Sequence, residues 1–302
     1  MKTFVGITGT TSVGKSAVAV HLAKLMNTEV ISADSMQIYK GMNIGTAKLK
    51  QSEMQGVKHH MIDIVEPNVN YSSFLYQSDA SSIIDTMNTV PIVAGGTGFY
   101  FDSLLYPPEF GNSSLERRAE LQKILDDVGL NALQQMLKNL DEQTYNEIDL
   151  CNPKRVIRAI EIAECGKLKS QGVGKGHPRY KMFLYVLERD RNELYSHIDN
   201  RVEDMIEQGL VNEVRNLVEK YGYCNTSAFS AIGYKEIIEY LHNKLSLQEA
   251  IDKIKINTRH YAKRQITYYK KMNVTENIDV SEKNSAEIAY YIYQQLKNQN
   301  IV

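Results

Sequence analysis

Gly9-Thr10-Thr11-Ser12-Val13-Gly14-Lys15-Ser16 is the stretch that most limits what this chain can fold into. It fits G-x-x-x-x-G-K-[ST]. An apolar run, Thr3 to Thr8, precedes it, and Ala17 to Met26 follows with Val18, Leu22 and Leu25 at helical spacing. Strand, glycine loop and helix in that order are the setting a phosphate-binding loop requires. Backbone N–H groups and the helix dipole would cradle a diphosphate. Lys15 would neutralise its terminal charge, and the Ser16 hydroxyl would ligate Mg²⁺. The motif signals a phosphate site, not nucleotide hydrolysis.

The pattern then repeats. Glu29 to Ala33 reads as a second strand, Ser73 to Met87 as a helix capped from Tyr71-Ser72-Ser73, and Val90 to Ala94 as a third strand. Strands alternating with helices predict an α/β fold: a P-loop NTPase-like parallel sheet with helices on both faces. In such a sheet the C-terminal strand ends line the cleft. Two segments fall there. Asp34, in Ser32-Ala33-Asp34-Ser35-Met36-Gln37, could be a general base or a magnesium partner; an N-cap is the other role open to it. Gly95-Gly96-Thr97-Gly98 permits close backbone approach, and Thr97 offers a hydroxyl.

Near Pro107-Pro108 and Gly111-Asn112 the character changes. Leu115 to about Leu140 is helical in spacing, and Asn152-Pro153 starts another helix, on which Arg155 and Arg158 share an edge. Lys169 to Arg179 is a glycine-rich basic loop. Met182 to Leu187 returns as a strand, and the chain after Asn192 reads mostly helical. The expected organisation is a P-loop core, 1–111 and 181–302, with a small helical insertion, 112–180.

Composition excludes little. Lys and Arg number 35 against 36 Asp and Glu, so a basic surface must be local. Cys151, Cys165 and Cys224 are far apart, which argues against a zinc ribbon or a disulfide framework and suits a reducing cytosol. The N-terminus is not that of a signal peptide, and no stretch suits a membrane span. His59-His60 does not make a metal pair, because adjacent residues point to different sides. Arg189 and Arg191 follow the returning strand as candidate phosphate clamps. Finally, Thr258 to Lys271 interleaves tyrosines with cations, a combination suited to sugar–phosphate backbones and bases.

GTTSVGKS, DSMQIY, GTAK, HHMID, GGTGFY, NPKRVIRAIE, AIGYKE and YAKRQITYY occur in that order. Together they resemble the bacterial tRNA dimethylallyltransferases, from residue 4 to about residue 271. That family transfers a dimethylallyl group from dimethylallyl diphosphate to N6 of adenosine 37, just 3′ of the anticodon of tRNA. The resemblance implies Asp34 as general base, with Lys15 and Thr97 beside it. It implies that Asp34, Ser35, Met36, Gln37 and Thr97 contact the extruded adenosine, that Thr11 to Ser16 and Arg191 hold the diphosphate with Mg²⁺, and that the protein is cytoplasmic. Arg118, Lys154, Arg155, Val156, Ile157, Arg158, Lys263, Arg264 and Gln265 would hold the anticodon stem-loop. A monomer is expected. Two departures stand out: the family has Trp-Phe where this chain has Tyr268-Tyr269, and a second Arg where His197 stands. The rival reading is a nucleoside or nucleotide kinase with the same loop and the insertion as a lid.

Overall fold

The computed structural model describes residues 1–106, 115–165 and 177–302. The turns at Pro107-Pro108 and Gly111-Asn112, and most of the Lys169–Arg179 stretch, lie outside the described residues. Six strands form: β1 (Thr3–Gly9), β2 (Val30–Ser32), β3 (His59–His60), β4 (Ile92–Ala94), β5 (Lys181–Glu188) and β6 (Glu276–Asp279). The helices, in chain order, are α1 (Lys15–Met26), α2 (Ser73–Thr86), α3 (Gly98–Leu105), α4 (Leu115–Asp127), α5 (Leu130–Leu140), α6 (Glu142–Glu147), α7 (Pro153–Glu164), α8 (Arg191–Glu207), α9 (Leu210–Tyr221), α10 (Tyr234–Leu241), α11 (Leu247–Tyr269) and α12 (Ser285–Asn298). Two compact units result, Met1–Leu105 with Arg179–Val302, and Tyr106–Pro178.

In the first unit every strand pair is parallel, in the order β3-β2-β4-β1-β5-β6. The central strand, β1, pairs with β4 on one side and along its whole length with β5, Thr3 opposite Lys181 through Gly9 opposite Leu187. A parallel strand covered on both faces must be apolar throughout, and Phe4, Val5 and Ile7 are fully buried. α1 and α12 cover one face through Val18, Ala19, Leu22, Ile288, Ile292 and Leu296. Leu25, read above with the buried face of α1, is instead exposed, and Ala19 and Ala23 share the core face with Val18 and Leu22. On α2 and α3 the rings of Tyr76 and Tyr100 stack at 3.7 Å.

Two edge strands carry no sequence signal. β3 is two histidines long, and β6 buries only Ile278. The histidines are structural: His60 Nε2 meets Glu29 Oε2 at 2.5 Å, and His59 Nδ1 lies 2.9 Å from the Val57 carbonyl. Among the described residues no group of three or more His, Cys, Asp or Glu could hold a metal. A second core joins α8 to α11 with the segment after β2, through Ile38, Tyr39, Met42, Leu210, Val214 and Ile237. Glu213 of α9 fixes that segment by accepting from the backbone N–H groups of Asn43, Ile44 and Gly45 at 3.0, 2.8 and 3.3 Å.

The second unit is a helical cluster. Leu121, Leu133, Leu137, Val156 and Ile160 fill its core, and Asn152 caps α7 with Pro153 in the first turn. Its helical stretch breaks at Gly129, where φ is 97°. All three cysteines are free. No helix among the described residues is long and apolar enough to cross a membrane.

Candidate active site

The phosphate loop joins β1 to α1 in the first unit. Gly9 is required where it stands: its φ is 146°, and a Cβ there would strike the Leu187 carbonyl of β5. Ser12 has φ 63°, a costly conformation for a residue with a side chain, and Gly14 caps α1 at φ 90°. The Thr10 and Ser12 hydroxyls are buried without a hydrogen-bond partner. Unpaired buried donors in a loop that already holds strain are what an anion site looks like before its anion arrives. Lys15 Nζ donates to the Thr10 carbonyl at 2.6 Å, folding back over the loop. Burial presses the Lys15 ammonium down to about 8, and Arg201 presses the same way, while Asp34 acts against them.

The strand ends assemble beside it. The N–H of Ala33 donates to the Ala94 carbonyl at 2.8 Å, and that of Thr97 donates to the Ala33 carbonyl at 3.0 Å, so the Asp34 and GGTG turns are clamped together. Asp34 Oδ1 accepts from the Met36 N–H at 2.9 Å, which leaves Oδ2 without a partner among the described residues. Thr97 Oγ1 accepts from the Ser35 N–H at 3.1 Å and lies 3.3 Å from Ser35 Oγ, so its hydroxyl braces the turn that carries Asp34. Gln37 is used similarly, accepting from Ser32 Oγ at 3.2 Å and donating to the Thr46 carbonyl at 3.4 Å.

A cavity of about 310 Å³ opens among these groups. Thr11, Asp34 and Arg201 line its polar part; Ile198, Val202, Met205 and Ile232 line an apolar part. Ser35 and Met36 lie on its wall, and so do Tyr261 and Arg264 of α11. Burial, with the Asp34 charge adding to it, lifts the Tyr261 phenol to about 12. A second, basic groove of about 500 Å³ runs along α11 between His260, Lys263, Arg264, Thr267, Tyr268 and Lys271. Arg264 belongs to both walls.

Three expectations from the sequence change. Arg191 is no clamp on the phosphate loop: its guanidinium lies over the Tyr195 ring, and its Nε donates to the Tyr195 hydroxyl at 3.1 Å. The arginine at the loop is Arg201, whose Nη1 donates to Thr11 Oγ1 at 2.9 Å. It stands ten positions further along α8, roughly 15 Å down the axis. Its signal was a cation set among Leu194, Ile198, Val202 and Met205, the buried face of an amphipathic helix. Gln265, expected at the RNA, is 4% exposed and engaged inside: it accepts from the Thr11 N–H at 3.0 Å and donates to the Gly96 carbonyl at 2.7 Å. Val156 and Ile157, 0% and 6% exposed, are core residues of the helical unit.

The remaining cations divide. In the helical unit Arg118 grips Glu161 with two bonds of 2.7 Å, and Arg158 reaches the same carboxylate at 3.1 Å. Arg155 stands 3.7 Å from Asp149, and Lys154 is exposed. On α11 Arg259 is paired with Asp199 of α8. Lys263, Arg264 and Lys271 form no ion pair among the described residues. Both tyrosines standing in place of Trp-Phe are hydrogen-bonded: Tyr268 to Asp102, and Tyr269 to the Gly96 carbonyl at 2.8 Å, with the Gly9 carbonyl 3.1 Å away.

The model of the IPP transferase family matches residues 37–272, and that of isopentenyl transferase matches residues 2–70. The tRNA dimethylallyltransferase of Clostridioides difficile (strain 630) is 42% identical over 98% of this chain and 95% of that protein. That of Caldanaerobacter subterraneus subsp. tengcongensis is 44% identical over 87% of each. Among solved structures, the tRNA delta(2)-isopentenylpyrophosphate transferase of Staphylococcus epidermidis superposes with a TM-score of 0.74 at 36% identity, covering 99% of this chain and all of that one. A eukaryotic dimethylallyltransferase acting on tRNA gives 0.85 at 27% identity, over 99% of this chain and 80% of that one.

Proposed function

The chain belongs to the IPP transferase family and is a tRNA-modifying transferase, and we propose that it transfers a dimethylallyl group from dimethylallyl diphosphate to the exocyclic N6 of adenosine 37. The observation that carries the reading is one cavity with an anion-binding wall at Thr11 and Arg201, a carboxylate at Asp34 and an apolar remainder. The diphosphate takes the first, the five-carbon chain the last, and the adenine amine meets Asp34. N6 attacks the allylic carbon, the carbon–oxygen bond to the diphosphate breaks, and an N6 proton passes to Asp34. An ordinary carboxylate is too weak a base to deprotonate an aromatic amine beforehand. It accepts the proton as the N–C bond forms.

Lys15, Arg201 and the loop N–H groups stabilise the departing diphosphate. The unpartnered Thr10 and Ser12 hydroxyls suit that anion, and the Ser16 hydroxyl in the first turn of α1 suits Mg²⁺ shared with it. Held at Ser16, Mg²⁺ would supply charge neutralisation of the leaving group. Thr97 acts through Asp34, whose turn it braces. The apolar wall keeps water from the allylic carbon while positive charge develops on it. On this reading the loop binds a diphosphate and spends no nucleotide.

A tRNA substrate supports a cytoplasmic enzyme. The kinase reading is not favoured, since the relatives that match over most of the chain are tRNA dimethylallyltransferases. Incubation with labelled dimethylallyl diphosphate, tRNA and Mg²⁺ should place label in RNA. Phosphate transfer from ATP, with no label in RNA, would overturn the assignment.

A further inference from the structure

The basic groove of α11 lies outside the phosphate loop. Its Lys263, Arg264 and Lys271 form no ion pair among the described residues, and an exposed aromatic stands at its edge. Phe99, the second residue of α3, is 61% exposed. A single exposed apolar side chain is ordinary; its surroundings are what make this one informative. Its ring centroid lies 6.4 Å from that of Tyr268, a groove residue. Tyr268 is itself fixed, its hydroxyl bonded to Asp102 and its ring pressed on Gly98, where a Cβ would overlap it. Phe99 therefore stands on a rigid base. It directly follows the GGTG turn that is clamped to the turn of Asp34. From the groove, Arg264 leads into the cavity that Asp34 lines.

An aromatic face beside unpaired cations, continuous with a pocket for one extruded base, fits single-stranded nucleic acid: the cations track phosphates and the ring stacks a base. Resting on the proposed function, we propose that Phe99 is a stacking platform for a nucleotide flanking the extruded adenosine, with Lys263 and Lys271 on the adjoining phosphates. Phe99 then sets affinity for the loop sequence and takes no part in chemistry. Stacking tolerates every base, so the preference it confers follows stacking strength and favours a purine over a pyrimidine.

The test is an equilibrium titration of the full chain with a labelled anticodon stem-loop RNA, alongside steady-state transfer. Phe99→Ala should weaken RNA binding about ten- to a hundredfold, and Phe99→Tyr should restore it. The dependence of log Kd on log salt should keep its slope in Phe99→Ala, and lose about 0.7 in Lys271→Ala. The KM for the diphosphate donor should not move in Phe99→Ala. Repeating the titration on RNAs abasic at each flanking position should abolish the Phe99→Ala penalty on one of them. Unchanged binding by Phe99→Ala, or the full penalty on both abasic RNAs, would overturn the proposal. If wild-type protein transferred no label, the proposed function would fail, while the binding cycle would still report on Phe99.

Discussion

Raising the pH from 7 to 8.5 should expose the state of Lys15 more directly than any substitution. Burial and the nearby Arg201 hold its ammonium down to about 8, Asp34 only partly offsetting them. A diphosphate arriving over that nitrogen favours the charged form and raises the value again. Donor binding must then take up whatever proton the free enzyme has lost. With a free value near 8, the uptake is about 0.1 proton at pH 7, about 0.5 at pH 8 and about 0.75 at pH 8.5. Above pH 8 the apparent donor affinity should fall, approaching about tenfold per pH unit. Calorimetric titration of the donor in buffers of different ionisation enthalpy reads the proton number directly. A diphosphate shedding its own last proton on binding would release protons, mostly at low pH, so the two sources differ in sign and in pH trend. Uptake that stays near zero from pH 7 to 8.5 would refute both the depressed value and the placement of the diphosphate at Lys15.

Other perturbations separate the roles assigned above. Arg201→Ala should reduce kcat/KM for the donor about 100-fold through the loss of a charged donor at the leaving group, whereas Arg191→Ala should stay within about twofold; steady-state kinetics with varied donor decides between them. Asp34→Asn should reduce kcat by about a thousandfold with RNA affinity unchanged, since it removes the proton acceptor and keeps the shape; near-normal turnover would remove Asp34 as base. Gln265→Ala leaves the Thr11 N–H unpaired and removes one of the two donors to the Gly96 carbonyl, and should cost about 1–3 kcal/mol in chemical denaturation. Arg264→Ala should cost under about 0.5 kcal/mol there, while lowering the salt slope of RNA binding by about 0.7.

Where sequence reading succeeded and failed follows from what each signal encodes. The octet at Gly9 is legible because its glycines and its lysine are each demanded by local geometry, and the buried strands because both faces must be apolar. β3 and β6 escaped because an edge strand needs no such run: Glu276, Asn277 and Asp279 satisfy it by pairing alone. The same limit applies to α7, where Lys154 to Arg158 was read as a block. Helical geometry turns successive residues to different sides, so Val156 and Ile157 enter the core while Lys154 and Arg155 stay outside. Arg191 was placed by its nearness to a strand end, but the side chain found Tyr195. Arg201 carries no motif; its one mark in the sequence is a cation set on the apolar face of α8, and the loop it touches gives that mark its meaning.

Under the proposed function, the long helix α11 links the two substrate sites. Gln265 and Tyr269 lie four apart on its inner face, and both close on the turns around Gly9 and Gly96. Lys263 and Thr267, also four apart, form its outer row along the groove, and Lys271, in the turn after the helix, continues that lining. One rigid element thus sets the distance between the diphosphate cradle and the RNA phosphates. A shift of α11 that improved one site would displace the other, because the glutamine that completes the loop and the cations that line the groove share a backbone. That geometry also accounts for the reach of Arg264, whose position between the two rows lets a single side chain border both cavities. Under the proposed function, this shared helix ties transfer of the allylic group to an RNA seated in the groove, because the donor cradle and the groove cations move together.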